Sequence, residues 1–132
     1  MPQDFAKAAH WYTLSAEQGR RDSQFNIGLM YDKGRGVPQD FAQALKWYSL
    51  SAEQEYAKAQ DRIGRLHYEG NGVPQDYAKA RRWYYLAAEK GYAAAQYHLG
   101  NLHHDAKGVP TDHEKAQEWY SRAAEPANVA AR

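Results

Sequence analysis

Apolar and polar positions recur with helical period in stretches separated by glycine-rich turns. After Pro38, apolar or small residues fall at Phe41, Ala44, Leu45, Tyr48 and Ala52, and Trp47 and Ser51 widen the same arc. Gln43, Lys46, Ser49 and Glu53 fall on the opposite side, so the spacing predicts an amphipathic helix with Asp40 as its N-cap. The pattern repeats from Asp4 to Gln18, from Asp76 to Lys90 and from Asp112 to Glu125. A second kind of helix is predicted over Arg21–Lys33, Ala57–Glu69 and Ala93–Asp105. There a small residue (Ser23, Ala59, Ala95), an aliphatic one (Ile27, Ile63, Leu99) and a glycine (Gly28, Gly64, Gly100) share registers. A mid-helix glycine costs about 1 kcal/mol against alanine, so three at one register predict close approach of a neighbouring helix. Gly19 and Gly91 close the helices before them, and Glu55 takes that place in the middle unit, where a left-handed cap favours glycine.

The elements repeat every 36 residues without slippage, as Gly36-Val37-Pro38, Gly72-Val73-Pro74 and Gly108-Val109-Pro110 show. Asp40, Asp76 and Asp112; Ala44, Ala80 and Ala116; Trp47, Trp83 and Trp119; and Tyr48, Tyr84 and Tyr120 keep the same period. Pro2, Asp4, Ala8, Trp11 and Tyr12 form a partial copy. A fixed period of this length marks an array whose units bury their apolar faces on one another. The expected fold is all-α: an α-solenoid, a right-handed superhelix of about seven helices in helix-turn-helix units. Its expected parts are a lone second helix over 1–19, full units over 20–55, 56–91 and 92–127, and residues 128–132 as the start of a further unit or a tail. Trp47, Trp83 and Trp119 are expected to lock one hairpin to the next, with Trp83→Ala costing about 3–5 kcal/mol. Leu14, Leu50 and Leu86 share a register that Arg122 takes in the last unit, and this with Pro126 reads as the end of packing. Ala131-Arg132 instead matches the start of a further first helix. Together these favour a piece of a longer array, with pairing of exposed ends into a homo-oligomer as the alternative.

Composition narrows the chemistry. Seventeen basic and sixteen acidic residues leave a net charge of +1, with no basic stripe interleaved with aromatics, which argues against nucleic acid. No apolar run is long enough to span a membrane. No signal peptide is visible, and the compartment stays unassigned. Cysteine is absent, which excludes disulfides and cysteine-ligated metal. Among six histidines, His103, His104 and Asp105 are adjacent and diverge by about 100° per residue. His67 and His103 lie one repeat apart, about 10 Å at helix-packing distance, and His98 is poorly spaced to join them. No metal site or cofactor is expected. Gly-x-Gly-Val-Pro lacks the Lys-Ser/Thr of a phosphate loop, and its proline removes a donor amide. No nucleophile elbow or paired buried carboxylates are present, so no enzyme is expected. The eleven tyrosines and four tryptophans mostly recur at packing registers and read as core.

In sum, Ser23, Ile27, Gly28, Tyr31, Gly34, Gly36, Val37, Asp40, Ala44, Trp47, Ser51 and Ala52 form a pattern that resembles the Sel1-like repeat, a relative of the tetratricopeptide repeat. Ala95, Leu99, Gly100, Gly108, Val109, Asp112, Lys115, Ala116, Trp119, Ala123 and Ala124 carry it again. His67 and His103 depart from it where Tyr31 conforms, as do Ala106 at a turn glycine and His113 at an aromatic position, so looser packing is expected toward the C-terminal end. The resemblance implies a scaffold or adaptor that binds a protein or peptide. One cysteine-rich bacterial branch is associated with penicillin binding, and a weak β-lactam-binding hydrolase is the remote alternative for this cysteine-free chain.

In the tetratricopeptide relatives the first helix of each pair lines the concave face. Aligned on the glycines, its outward positions are Asp22, Phe25, Leu29 and Asp32; then Lys58, Asp61, Arg65 and Tyr68; then Ala94, Tyr97, Asn101 and His104. These vary between units while packing positions do not, as expected of a reading surface on a fixed scaffold. Phe25, Leu29, Tyr68 and Tyr97 are expected as apolar contacts for a peptide or helix, and Arg65 and Lys58 as donors to a carboxylate.

Overall fold

The computed structural model describes residues 4–105, 107 and 111–125. The third glycine turn, Ala106, Pro126 and Ala131-Arg132 lie outside them. Among the described residues there are seven helices and no strand: α1 (Phe5–Glu17), α2 (Arg21–Lys33), α3 (Phe41–Glu53), α4 (Ala57–Glu69), α5 (Tyr77–Glu89), α6 (Ala93–His104) and α7 (His113–Ala124). Each packs chiefly on its neighbours in sequence, which makes the fold a solenoid.

Aspartates set the helix starts. Asp4, Asp40, Asp76 and Asp112 each accept from the amide three residues on, at 2.9–3.1 Å, which meets one of the orphan donors of a helix N-terminus. The amides of Asp40, Asp76 and Asp112 also donate to the carbonyls of Tyr31, His67 and His103, at 2.9, 2.9 and 3.0 Å. One residue type thus starts each odd-numbered helix, and from α3 onward it also ties that helix to the one before. The connecting turn nests on the preceding repeat: Gly36 has φ 77°, and a Cβ there would collide with the Phe5 carbonyl oxygen. Glu55 adopts φ 63° where Gly19 and Gly91 have 89° and 85°. Its carboxylate pairs with Lys90 at 2.8 Å.

Within each hairpin the glycine register meets a tyrosine. A Cβ on Gly28 would lie 2.7 Å from the Tyr48 ring, and one on Gly64 would lie 2.8 Å from the Tyr84 ring; Gly100 faces Tyr120 in the same way. The close approach is therefore ring against backbone. Successive apolar layers build around these contacts. Ala9, Ala16, Ile27, Met30 and Trp47 form one, Phe25, Tyr48, Ala59, Ile63 and Leu66 the next, and Tyr84, Ala95, Leu99, Leu102 and Trp119 a third.

Polar groups join the repeats. Gln24, Gln60 and Gln96, all buried, donate through Nε2 to the carbonyls of Ala16, Ala52 and Ala88 at 3.3, 3.5 and 3.0 Å. They add a second bond to carbonyls at the end of the preceding helix that already accept from the amides of Gly19, Glu55 and Gly91 at 2.9 Å. Within one repeat, Ser51 donates to the Arg21 carbonyl at 2.8 Å, and Arg21 donates to the Gln54 carbonyl at 2.9 Å.

Three sequence expectations need correction. Trp47 and Trp119 are buried, but Trp83 is only half-buried, so its truncation removes less contact than a full core tryptophan. Phe25, expected on the outward face, lies in the core against Tyr48 and Tyr56. Leu14, Leu50 and Leu86 are not a packing register: all three are exposed.

Two outcomes test this packing in urea denaturation. Gly64→Ala gains helix propensity of about 1 kcal/mol but forces Tyr84 off its seat, for a net loss of about 1–2 kcal/mol. In a Tyr84→Ala background the same change should cost clearly less, the Ala80 carbonyl oxygen at 3.3 Å being the close contact that remains, a coupling that a double-mutant cycle reads directly. Trp47→Ala loses about 3–5 kcal/mol and Trp83→Ala clearly less; equal losses would contradict the burial difference.

Candidate functional site

The tyrosines that seat on the glycines also decide where the surface opens. A tyrosine hydroxyl crossing the glycine helix emerges beside the residues one and four positions further along it. In the first hairpin Tyr48 donates to Asp32 Oδ2 at 2.8 Å; in the last, Tyr120 donates to Asn101 Oδ1 at 2.5 Å. In the middle hairpin those registers hold Arg65 and Tyr68, neither a carboxylate nor an amide. There Tyr84 lines a cleft of about 320 Å³ together with Arg65, Tyr68, Glu69, His98 and Asn101.

The cleft lies between α4 and α6. Asp61, only 6% exposed, takes a hydrogen bond from His98 Nδ1 to Oδ1 at 2.9 Å. This fixes the imidazole across the two helices, with its ring 4.9 Å from that of Tyr84. Arg65 lies along the rim, with Nε 3.2 Å from Glu69 Oε1 and both side chains well exposed. Such a pair contributes little to stability and leaves the guanidinium available to a ligand. Tyr68 packs on Tyr77 at 5.2 Å, and Lys107 Nζ sits over both rings at 5.4 and 5.1 Å. Hydrogen bonding to Tyr68 holds the Lys107 ammonium above the usual lysine range. Burial, and then the Asp61 charge, push the Tyr84 hydroxyl well above the usual tyrosine range. Tyr84 therefore remains a neutral phenol at physiological pH and serves as a wall. The cleft offers donors, one exposed carboxylate and aromatic faces, the chemistry of recognition.

The outward residues distribute unevenly. Arg65, Tyr68 and Asn101 meet in the cleft. Tyr97, 55% exposed, lines an adjoining cleft with Tyr92, Ala94 and Ala123 that shares His98 with the first, its ring 5.5 Å from Tyr120 and 6.3 Å from His98. His104 is exposed and holds Asp105 through Nδ1 at 2.9 Å. Leu29 belongs to a separate cleft of about 220 Å³ with Phe5, Tyr12 and Met30, and Lys58 to another with Arg21, Glu55 and Tyr92. Asp22 is exposed and caps the Ser23 amide at 3.0 Å. Asp32 is engaged by Tyr48, and Phe25 and Asp61 are buried, so these three offer little to a partner. His98, Glu69 and Tyr84 were missed. His98 sits two positions before the register glycine, where Asn26 and Arg62 also vary; including that register would have found it.

Two further histidines bear on stability. Nδ1 of His67 and of His103 is buried with no hydrogen-bond partner among the described residues. Burial pushes both imidazoles below the usual histidine range; Lys79 adds to this at His67, and Lys115 and Arg81 add to it at His103, against Asp76 and Asp112. A histidine whose folded pKa is depressed binds its proton better unfolded. The stability it leaves intact above the unfolded value of about 6.5 is therefore lost as pH falls below it toward the folded value. The Glu55 carboxyl, held below the usual range by Lys90, acts only at lower pH. The urea midpoint should thus drop between about pH 7.5 and about pH 5.5. His67→Tyr/His103→Tyr, which restores the residue type of Tyr31, should flatten that drop; an unchanged slope would assign the acid sensitivity elsewhere. Among the described residues no three histidine, aspartate or glutamate side chains converge as metal ligands.

The Sel1 repeat family model matches residues 1–19, 21–56, 57–92 and 93–125. The chain is similar to the crystal structure of a Sel1 repeat protein from Oxalobacter formigenes, with 36% identity, a TM-score of 0.88 and coverage of 97% of this chain and 52% of that one. It is also similar to c5321, a protective antigen present in uropathogenic Escherichia coli strains and displaying the same repeat fold. There the identity is 32%, the TM-score 0.66 and the coverage 99% of this chain and 36% of that one. The chain thus spans about half of the first protein and about a third of the second. No curated protein matches it closely enough to count as a relative.

Proposed function

The chain belongs to the Sel1 repeat family, and from that premise we propose that it is a protein-interaction module that holds a peptide or helix of a partner across the α4–α6 cleft. Sel1 repeats commonly mediate protein–protein interaction and are generally non-enzymatic scaffolds. The observation that carries the reading is the change in the middle hairpin. Where Asp32 and Asn101 take the tyrosine hydroxyls of the outer hairpins, Arg65 and Tyr68 stand instead, and the surface opens over Tyr84. Arg65, with Tyr68 and Tyr97, is the residue type that dominates binding energy at protein interfaces. In this reading Arg65 exchanges Glu69 for a partner carboxylate, Asn101 and His98 orient the main chain, and Tyr97 covers an apolar side chain.

A second reading rests on Trp11. It is 62% exposed, whereas Trp47 and Trp119 at its register are buried. In this reading the α1 face that carries Trp11 meets a second copy of the chain, and self-association through it should shift the Trp11 emission to shorter wavelength as concentration rises.

Peptides selected from a displayed random library against the chain provide the test, with affinities read by fluorescence anisotropy. Arg65→Glu should weaken a groove ligand at least about tenfold, and Tyr97→Ala about five- to thirtyfold, while far-UV circular dichroism stays unchanged. Selected ligands indifferent to both substitutions would remove the cleft from consideration.

A further inference from the structure

The outer side of the odd-numbered helices carries a second pattern, and it is periodic. On α1, α3 and α5 a basic residue, a leucine and a glutamate stand at positions i, i+4 and i+7: His10-Leu14-Glu17, Lys46-Leu50-Glu53 and Arg82-Leu86-Glu89. These spacings put all three on one helix face, with the basic and acidic groups about 10 Å apart along the axis. All nine residues are exposed, the leucines at 40%, 37% and 44%. The odd-numbered helices stack side by side, as shown by Trp47 in one core with Ala9 and Ala16 and by the Tyr85–Trp119 ring contact at 6.0 Å. The array therefore carries three parallel rows: basic, leucine, acidic. In α7 the pattern stops, with Glu118, Arg122 and Glu125 at the same places. There Arg122 lies 3.9 Å from Glu89, and Lys46 Nζ lies 5.6 Å from the centre of the Trp47 ring with no carboxylate against it, so Lys46 and Glu53 are the central charges without an ion-pair partner among the described residues.

Nothing inside one molecule requires this arrangement. The leucine row keeps 37–44% of its surface in water, and Lys46 and Arg82 in one row and Glu17, Glu53 and Glu89 in the other repeat one charge sign at neighbouring positions, which is mildly unfavourable. A second copy of the chain resolves both. When two such faces meet about a two-fold axis lying along the rows, leucine meets leucine, and each basic row meets the acidic row opposite. A two-fold axis across the rows instead opposes like charges. We infer that this outer ridge is a self-association surface that pairs two copies of the chain in parallel, with Lys46 of each against Glu53 of the other. Three leucines and their flanking charges make a strip smaller than the roughly 800 Å² per partner of a stable interface. The association is accordingly weak and falls with added salt. It is independent of the cleft, which lies between α4 and α6.

Sedimentation velocity from about 10 μM to about 1 mM tests the ridge on the chain as it stands. The wild type should show a concentration-dependent rise toward the dimer, and Leu50→Glu should remain monomeric with unchanged helicity. Charge exchange then fixes the direction of pairing. Lys46→Glu alone and Glu53→Lys alone oppose like charges and should associate at least about tenfold more weakly than the wild type. Mixed one to one, the two variants face complementary charges again and should form the heterodimer. A wild type monomeric throughout would overturn the proposal. So would a dimer insensitive to Leu50→Glu, or variants that fail to recover on mixing. Loss of dimer with Trp11→Ala but not with Leu50→Glu would assign self-association to the α1 face instead. Peptide binding in the cleft should be the same in Leu50→Glu as in the wild type, so either proposal can fail without the other.

Discussion

The contact of a tyrosine ring with a bare helix backbone sets the geometry of every hairpin in this chain. Gly28, Gly64 and Gly100 leave a patch on the even-numbered helices that admits the rings of Tyr48, Tyr84 and Tyr120. The magnitudes favour the exchange. Glycine costs about 1 kcal/mol of helix propensity, while burying a large side chain returns about 1.5–3 kcal/mol. Because the ring cannot move without exposing itself, the contact fixes both the distance and the register of the paired helices. It also fixes where each hydroxyl emerges, and that point is the border between scaffold and surface. Asp32 and Asn101 close it in the outer hairpins; Arg65 and Tyr68 leave it open in the middle one.

Between hairpins the ties are different in kind. Buried glutamines reach back from the first helix of one hairpin to the end of the helix before it, whereas the aspartate ties stay within each hairpin. A buried amide must satisfy its hydrogen bonds or pay for desolvation, so these groups tolerate only one stacking distance. The middle joint departs from the rule: Glu55 sits in the left-handed region that Gly19 and Gly91 adopt, and Lys90 binds both its carboxylate and Gln60 at 3.1 Å. Local backbone strain and a local ion pair stand there together.

Much of the fold was legible because its causes are local and repeat. An N-cap aspartate, a turn glycine and an apolar arc each act within a few residues, and the 36-residue period reports them several times over. The helix bounds follow closely, with α6 ending one residue short of the expected Asp105. What the period conceals is depth. Trp47 and Trp83 share a register yet differ in burial, because burial depends on what the neighbouring unit supplies. Phe25 and Asp61 were assigned outward by register, but one packs on Tyr48 and Tyr56 and the other is drawn inward by His98 from the next repeat. The Asp61–His98 pair spans 37 residues and occurs once, so periodicity carries no trace of it. The leucine register was visible and its placement was not: a repeated apolar position looks the same whether it faces a core or the outside.

The two surfaces differ in what they can select. Along the even-numbered helices the exposed residues change from unit to unit, so only one placement of a ligand meets Arg65, Tyr68 and Asn101 together. An aperiodic surface resists slippage, which suits a partner read in one register. Along the odd-numbered helices basic residue, leucine and glutamate return every 36 residues. A periodic surface gives full contact only to a partner with the same spacing; an ordinary helix or strand would match one unit and miss the next. An object certain to share the spacing of this array is another copy of it, and the in-line order of charges allows that copy one direction. Variation on one face and repetition on the other therefore specify different partners, and the glycine–tyrosine hairpins keep the two faces apart.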